Sequence, residues 1–129
     1  MTAPSLGPPV DDIVSIEVVE SGPTVCVTAV GEIDSTSAPV LRQRLDALLE
    51  GEVRELTVDL GRVTFLDSAG LCVLAATHRR ALQQDVRMRV LASSRAVIRP
   101  LQITGLWELL HAEQIDETAT PMLSQQGVA

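Results

Sequence analysis

The sequence predicts an α/β domain of two layers: a mixed sheet of about four strands, opened by a hairpin and continued by parallel strands, with helices mainly on one face. Three observations carry that expectation. Stretches with every second residue apolar alternate along the chain with stretches whose apolar residues recur at helical spacing. The strand stretches around Val58 and Val90 are each apolar on one side and charged or polar on the other, so helices should cover only one side of the sheet. Right-handed crossovers between sequentially ordered parallel strands also put both connecting helices on the same side.

Taken in order, Met1 to Asp12 hold Pro4, Gly7, Pro8 and Pro9 with little apolar content, which reads as a disordered lead-in before a domain over residues 13–115. Val14, Ile16 and Val18 alternate with polar residues, Ser21-Gly22-Pro23 is a turn, and Val25 to Val30 resumes the extended pattern as a hairpin partner. Gly31 to Ser37 is a loop dense in helix-capping residues, with Asp34 a candidate N-cap and Pro39 suited to a first helical turn. Ala38, Leu41, Leu45, Leu48 and Leu49 then form a helical stripe that stops at Gly51.

The third strand is read as Glu55 to Leu60, followed by a helix over Ser68 to Gln84 that buries Leu71, Leu74, Ala75 and Leu82. His78 shares that stripe and reads as a packing residue. A fourth strand carries Val86, Met88 and Val90 against Arg87 and Arg89, and Asp59 is expected near one of those two Arg on the open face. Ser93-Ser94 should cap a helix to Thr104 with a kink or break near Ala96, because Pro100 falls inside it. Leu106 to Leu110 gives one more turn, and residues 116–129 read as a weakly structured end.

Composition narrows the function classes. A chain of 129 residues, 46% hydrophobic and 21% charged, has the make-up of one globular domain able to bury a core without disulfides. The net charge of −7 argues against direct nucleic-acid or anionic-membrane binding, and with only Phe65 and Trp107 aromatic there is little to stack on bases. The charge is uneven: residues 68–100 carry six Arg and one acid, whereas residues 101–129 carry four acids and no base. Cys26 and Cys72 fit no metal-ligand or C-x-x-C spacing and suit a reducing cytoplasm. No base precedes Arg42, and the longest apolar run, Ala69 to Ala76, is too short for a membrane helix; neither a signal peptide nor membrane insertion is expected.

The chemistry concentrates at Leu66-Asp67-Ser68-Ala69-Gly70. Parallel strands two and three end at one edge of the sheet, so the loops carrying Asp34 and Asp67-Ser68 should converge there. Ser68 has two readings. As an N-cap its hydroxyl accepts a first-turn N–H, worth about 1 kcal/mol; as a phosphate acceptor it places new charge beside Asp67 and Asp34, with Ala69 and Gly70 leaving room for a kinase. Asp34 either caps its own helix, holds the Ser68 hydroxyl or meets a partner. Cys72 reads as a core residue or, one turn past Ser68, as an oxidation sensor. A serine hydrolase is disfavoured because the first Gly of G-x-S-x-G is absent and only His78 and His111 could serve as bases. With no P-loop, zinc spacing or G-x-G-x-x-G, no catalytic residue, metal or cofactor is expected.

Gly31-Glu32-Ile33-Asp34, Val58-Asp59-Leu60, the run from Val63 to Leu71, and Ala96-Val97 with Leu101 and Thr104-Gly105-Leu106 together resemble the STAS domain of bacterial anti-sigma factor antagonists. The resemblance spans about residues 13–110. It implies a STAS-like fold and a partner-switching role: the unphosphorylated form binds an anti-sigma factor with a histidine-kinase-like ATPase fold and frees a sigma factor. That partner would phosphorylate Ser68 and so end the binding, and a metal-dependent serine phosphatase would restore it. Asp34 falls on the family's acidic residue at the end of strand two. An alternative is a STAS interaction module of a transporter, lipid-transport or stress-signalling assembly, with Ser68 only a helix cap.

Overall fold

Alternating apolar residues build the hairpin that opens the sheet. In the computed structural model, which describes residues 14–115, β1 (Val14–Ser21) pairs antiparallel with β2 (Thr24–Ile33), Val18 opposite Val27 and Ile16 opposite Ala29. Gly22 turns the chain at a φ of 62°, which glycine adopts without steric cost. The expected lead-in over residues 1–12 and the expected weakly structured end over residues 116–129 lie outside the described residues.

Three further strands follow in parallel: β3 (Glu55–Leu66), β4 (Arg87–Ala92) and β5 (Glu113–Gln114), giving the order β1-β2-β3-β4-β5. The helices are α1 (Ala38–Leu49), α2 (Ser68–Gln83), α3 (Arg95–Ile103) and the single turn α4 (Leu106–Leu109). Val27, Val58 and Val90, one on each central strand, are fully buried with Leu41, Leu45, Leu74 and Leu101 from the helices. The other side of the sheet is open, as the charged strand faces required. Arg87 and Arg89 are exposed there, pairing with Glu55 (3.8 Å) and Glu113 (3.5 Å).

Several expectations are corrected. The placing of Asp59 is not among them: expected near an Arg of the open face, it forms no ion pair with Arg87 or Arg89 among the described residues, and its carboxylate accepts the Gly61 N–H at 2.8 Å. It does share the face: Asp59 and Arg89 both act on the Cys26 thiol, whose pKa burial pushes up. Strand three runs six residues past Leu60. Two irregularities interrupt its pairing with β2, between Thr28 and Val30 and between Gly31 and Glu32, and an extra residue on β3 at each one breaks the alternation that marks a strand. A fifth strand joins the sheet as well. It is two exposed polar residues long, too short for an apolar pattern to announce it, and joins β4 through its backbone and the Glu113–Arg89 ion pair.

α1 buries Ala38, Leu41, Leu45 and Leu49 as expected. α2 is rotated from the expected stripe: it buries Gly70, Val73, Leu74, Thr77, His78 and Ala81, while Leu82 is 63% exposed. Ala and Leu on most sides of this helix offered two stripes, and Thr77 disguised the real one. α3 is continuous through Pro100, without the expected break near Ala96. The proline removes one helical bond, from the carbonyl of residue 96, and that residue is exposed, so water can satisfy it.

Candidate functional site

β2 and β3 end side by side, Ile33 opposite Leu66, and the Asp67 N–H donates to the Ile33 carbonyl at 3.1 Å. The 34–37 loop and the start of α2 therefore leave the same edge of the sheet. Sequence topology required that convergence, and the backbone makes it.

Asp67, not Ser68, is the N-cap of α2. Its backbone is extended, and its side-chain oxygen accepts the N–H groups of Ala69 (2.9 Å) and Gly70 (3.3 Å), while its carbonyl accepts the Leu71 N–H (3.0 Å). Two capping residues stand in tandem, and the one on the extended backbone takes the role. Ser68 becomes the first residue inside the helix, exposed, and among the described residues its hydroxyl makes no hydrogen bond within the chain. Asp67→Ala is expected to lower stability by about 1 kcal/mol, whereas Asp67→Asn keeps the cap and most of the stability. Urea titration of the three proteins checks this; equal loss in both variants would mean that the carboxylate acts otherwise than as a cap.

Gly70 is small for a different reason from the one expected. It is buried, and a Cβ there would lie 2.8 Å from Ile33 Cγ2 and overlap Leu66 Cδ1. The residue lets α2 settle against the ends of β2 and β3, so its smallness positions the site and is not an open approach for a kinase. Ala69 packs partly against the same core.

Asp34 caps its own turn and not the helix. Its carboxylate accepts the N–H groups of Thr36 (2.9 Å) and Ser37 (3.0 Å), and these amides, Ser37 foremost, hold its pKa below the ordinary carboxylate value. Ser37 occupies the N-cap position of α1 with Pro39 in the first turn, but its hydroxyl faces the loop: it donates to the Glu32 carbonyl (2.7 Å) and accepts the Asp34 N–H (3.0 Å). Among the described residues no hydrogen bond joins Asp34 to Ser68, so Asp34 does not hold that hydroxyl. Sequence reasoning missed Ser37, which is fully buried. The Asp-x-x-Ser spacing was its signal, a turn whose two side chains bond reciprocally.

Cys72 is exposed and free, which overturns the reading of it as a core residue. His78 is buried in α2, where desolvation, with His111 second, pushes its pKa down. It stands ten residues along the helix from Ser68, about 15 Å at 1.5 Å per residue, too far to act as its base. His111 lines a hollow with Glu55 and Arg87, at the opposite ends of β3 and β4 from Ser68. Among the described residues no group of three or more His, Cys, Asp or Glu is placed to hold a metal ion, and no helix is long and apolar enough to cross a membrane.

The start of α2 is thus capped by the Asp67 carboxylate, presents the exposed Ser68 hydroxyl and lies next to the hydrogen-bonded turn of Asp34 and Ser37. Residues 15–119 match the family model of the STAS domain. The chain belongs to the STAS-domain family. As a STAS domain it is 33% identical over 97 residues to the anti-sigma-B factor antagonist of Bacillus subtilis, covering 75% of this chain and 88% of that one. The anti-sigma-B factor antagonist of Staphylococcus aureus is 31% identical over 84 residues, 65% of this chain and 78% of its own. Among solved structures, an anti-sigma factor antagonist from Mycobacterium paratuberculosis superposes with a TM-score of 0.73 at 33% identity, covering 78% of this chain and 86% of that chain. The unphosphorylated form of the antagonist SpoIIAA superposes with a TM-score of 0.70 at 19% identity, covering 89% and 99%, a likeness of fold. SpoIIAA has also been solved in a phosphorylated form.

Proposed function

We propose that this STAS domain is an anti-sigma factor antagonist that works by partner switching, a regulatory protein and not an enzyme. The unphosphorylated chain binds an anti-sigma factor with a histidine-kinase-like ATPase fold in the cytoplasm of its bacterial cell, and so frees a sigma factor. The same partner phosphorylates Ser68, which ends the complex, and a serine phosphatase resets it. Asp34, Asp67 and Ala69 form the surrounding contact surface, and Gly70 sets its geometry from below.

The observation that carries the proposal is the exposed Ser68 hydroxyl at the first position of α2, free of any bond within the described chain. An acceptor for phosphate must be reachable by a kinase and dispensable to the fold, and this one is both. Its neighbours supply the readout, since Asp67 and Asp34 already make the edge acidic. Relatives named as anti-sigma factor antagonists, at 33% and 31% identity, support the same reading. The alternative of a STAS module serving another assembly loses only its account of Ser68 as a helix cap, because Asp67 holds the cap.

Phosphotransfer tests the proposal. Incubation with ATP and the anti-sigma factor kinase of the native cell is expected to add one phosphate to the tryptic peptide running from Val63 to Arg79. Fragmentation should place it on Ser68 rather than Thr64 or Thr77, and Ser68→Ala should stay unmodified. Phosphate on another residue, or none on the wild type, would remove Ser68 from the mechanism.

A further inference from the structure

β4 stops at Ala92, opposite Leu60, while β3 runs on to Leu66, so among the described residues the end of β3 has no strand beside it on that side. α3 takes that place. The Ser93 and Ser94 hydroxyls donate to the Gly61 (2.6 Å) and Val63 (3.3 Å) carbonyls and tie the start of the helix to the strand. A groove remains between the two, lined by Phe65 and Leu66 from β3 and by Ala96, Pro100 and Ile103 from α3, and its lining is mostly apolar. Phe65 is 46% exposed and Ile103 75%, two large apolar side chains that the core leaves outside.

Arg95 and Arg99, one turn apart on α3 with Ile103 a further turn on, stand along the same groove. Both are exposed, and among the described residues neither forms an ion pair. An apolar groove edged by two such guanidinium groups suits a segment that carries carboxylates beside apolar side chains, because apolar contact supplies affinity and opposite charge sets register. Nucleic acid would meet the two Arg but not the groove, and the net charge of −7 opposes it. The groove also adjoins the site. Phe65 is three positions before Ser68 and so within about 11 Å of it, whereas a standard interface of about 800 Å² per partner reaches about 16 Å from its centre. A protein centred on Ser68 therefore extends over Phe65.

We infer that this groove binds an acidic, apolar segment of the anti-sigma factor, its carboxylates against Arg95 and Arg99 and its apolar side chains between Phe65 and Ile103. The inference rests on the anti-sigma factor reading of Ser68 and gives that partner a second point of attachment. Exposed ion pairs alone contribute little, so the apolar contact supplies most of the affinity and the charges set direction. The two points differ in sign. An acidic edge at Asp34 and Asp67 beside a basic rim at Arg95 and Arg99 admits the partner in one orientation and rejects the reverse, in which like charges would meet.

The test titrates the unphosphorylated full chain into the anti-sigma factor kinase of the native cell, with ADP present so that no phosphate is transferred, and follows phosphorylation with ATP separately. Arg95→Glu/Arg99→Glu should weaken binding by about 30-fold or more, and Ile103→Asp by about 10-fold. All three positions are exposed, so urea titration should show little change in stability. A photoreactive p-benzoylphenylalanine at position 103 should crosslink to an anti-sigma factor peptide holding at least two Asp or Glu. Exchange of those acids for Arg should then restore the affinity of Arg95→Glu/Arg99→Glu to within about 3-fold of wild type. A wild type that is neither bound nor phosphorylated overturns the anti-sigma factor reading and this inference with it. A wild type that is bound and phosphorylated, with unchanged affinity in the groove variants, overturns the inference alone; so does a crosslinked peptide without acids, or a crosslink within the chain or to a second copy.

Discussion

Phosphorylation of Ser68 is expected to weaken binding to the anti-sigma factor by about 100-fold or more, with Ser68→Asp weakening it less and Ser68→Ala leaving it intact. The reasoning starts from the helix end. A phosphate of charge about −1.5 to −2 at a helix N-terminus is ordinarily neutralised by the free first-turn N–H groups. In α2 the N–H groups of Ala69 and Gly70 are taken by the Asp67 carboxylate, and that of Leu71 by the Asp67 carbonyl. Only the N–H of Ser68 itself is left, so most of the added charge stays directed at whatever faces the edge. Like charges brought together at an interface cost several kcal/mol, and about 1.4 kcal/mol is a factor of ten in affinity. An aspartate carries about half the charge and fewer acceptor oxygens, hence its smaller effect.

The same geometry separates this electrostatic effect from a loss of folding. The Ser68 side chain is exposed and bonds to nothing in the described chain, so all three forms should differ in stability by less than about 0.5 kcal/mol. Calorimetric titration at two salt concentrations, beside urea titrations of the free proteins, checks both halves. Screening at high salt should narrow the gap between phosphorylated and unmodified protein. Equal affinities for the two at low salt would end the switch.

What could be read from the sequence, and what could not, divides along a physical line. The layers and strand order were legible because they depend on periodicity: Val58 and Val90 sit in alternating runs whose charged partners had to face water, and the Arg87–Glu55 pair on the open face follows from that. The convergence of the two site loops was legible for the same reason. The rest depended on local geometry without a periodic trace. Two extra residues on β3 hid its second half, Phe65 included, and β5 was invisible because two exposed polar residues carry no apolar alternation. At the site, residue type marked Asp34 and Ser68 as the candidate caps, whereas Asp67 takes the cap of α2 and Ser37 stands at the cap position of α1. Asp67 is set apart by its extended backbone at the cap position, and Asp34 and Ser37 by the reciprocal bonds of their turn, neither of which residue type alone can distinguish.

Gly70→Val is expected to have the largest effect on stability of any change near the site, a loss of about 3 kcal/mol. A helix normally gains when glycine is replaced, by about 1 kcal/mol for alanine, so the sign of the effect depends on space. There is none. The first added carbon would sit 2.8 Å from Ile33 Cγ2 and overlap Leu66 Cδ1, and the β-branched Ile33 has few rotamers to retreat into. Forcing extra carbons into a packed site typically costs 1–3 kcal/mol, and valine adds two further methyl groups to the first contact. Because Ile33 and Leu66 are the residues just before Asp34 and Asp67, relief of the clash has to part the two loops. Partner binding should therefore fall even at temperatures where the variant is fully folded. A double-mutant cycle isolates the contact: Leu66→Ala leaves a cavity and Gly70→Ala overfills, so together they should be less harmful than their separate losses added, by about 1 kcal/mol. Simple additivity in urea titrations would show that the glycine is not there to admit Leu66, and the account of how α2 is seated against β3 would have to be abandoned.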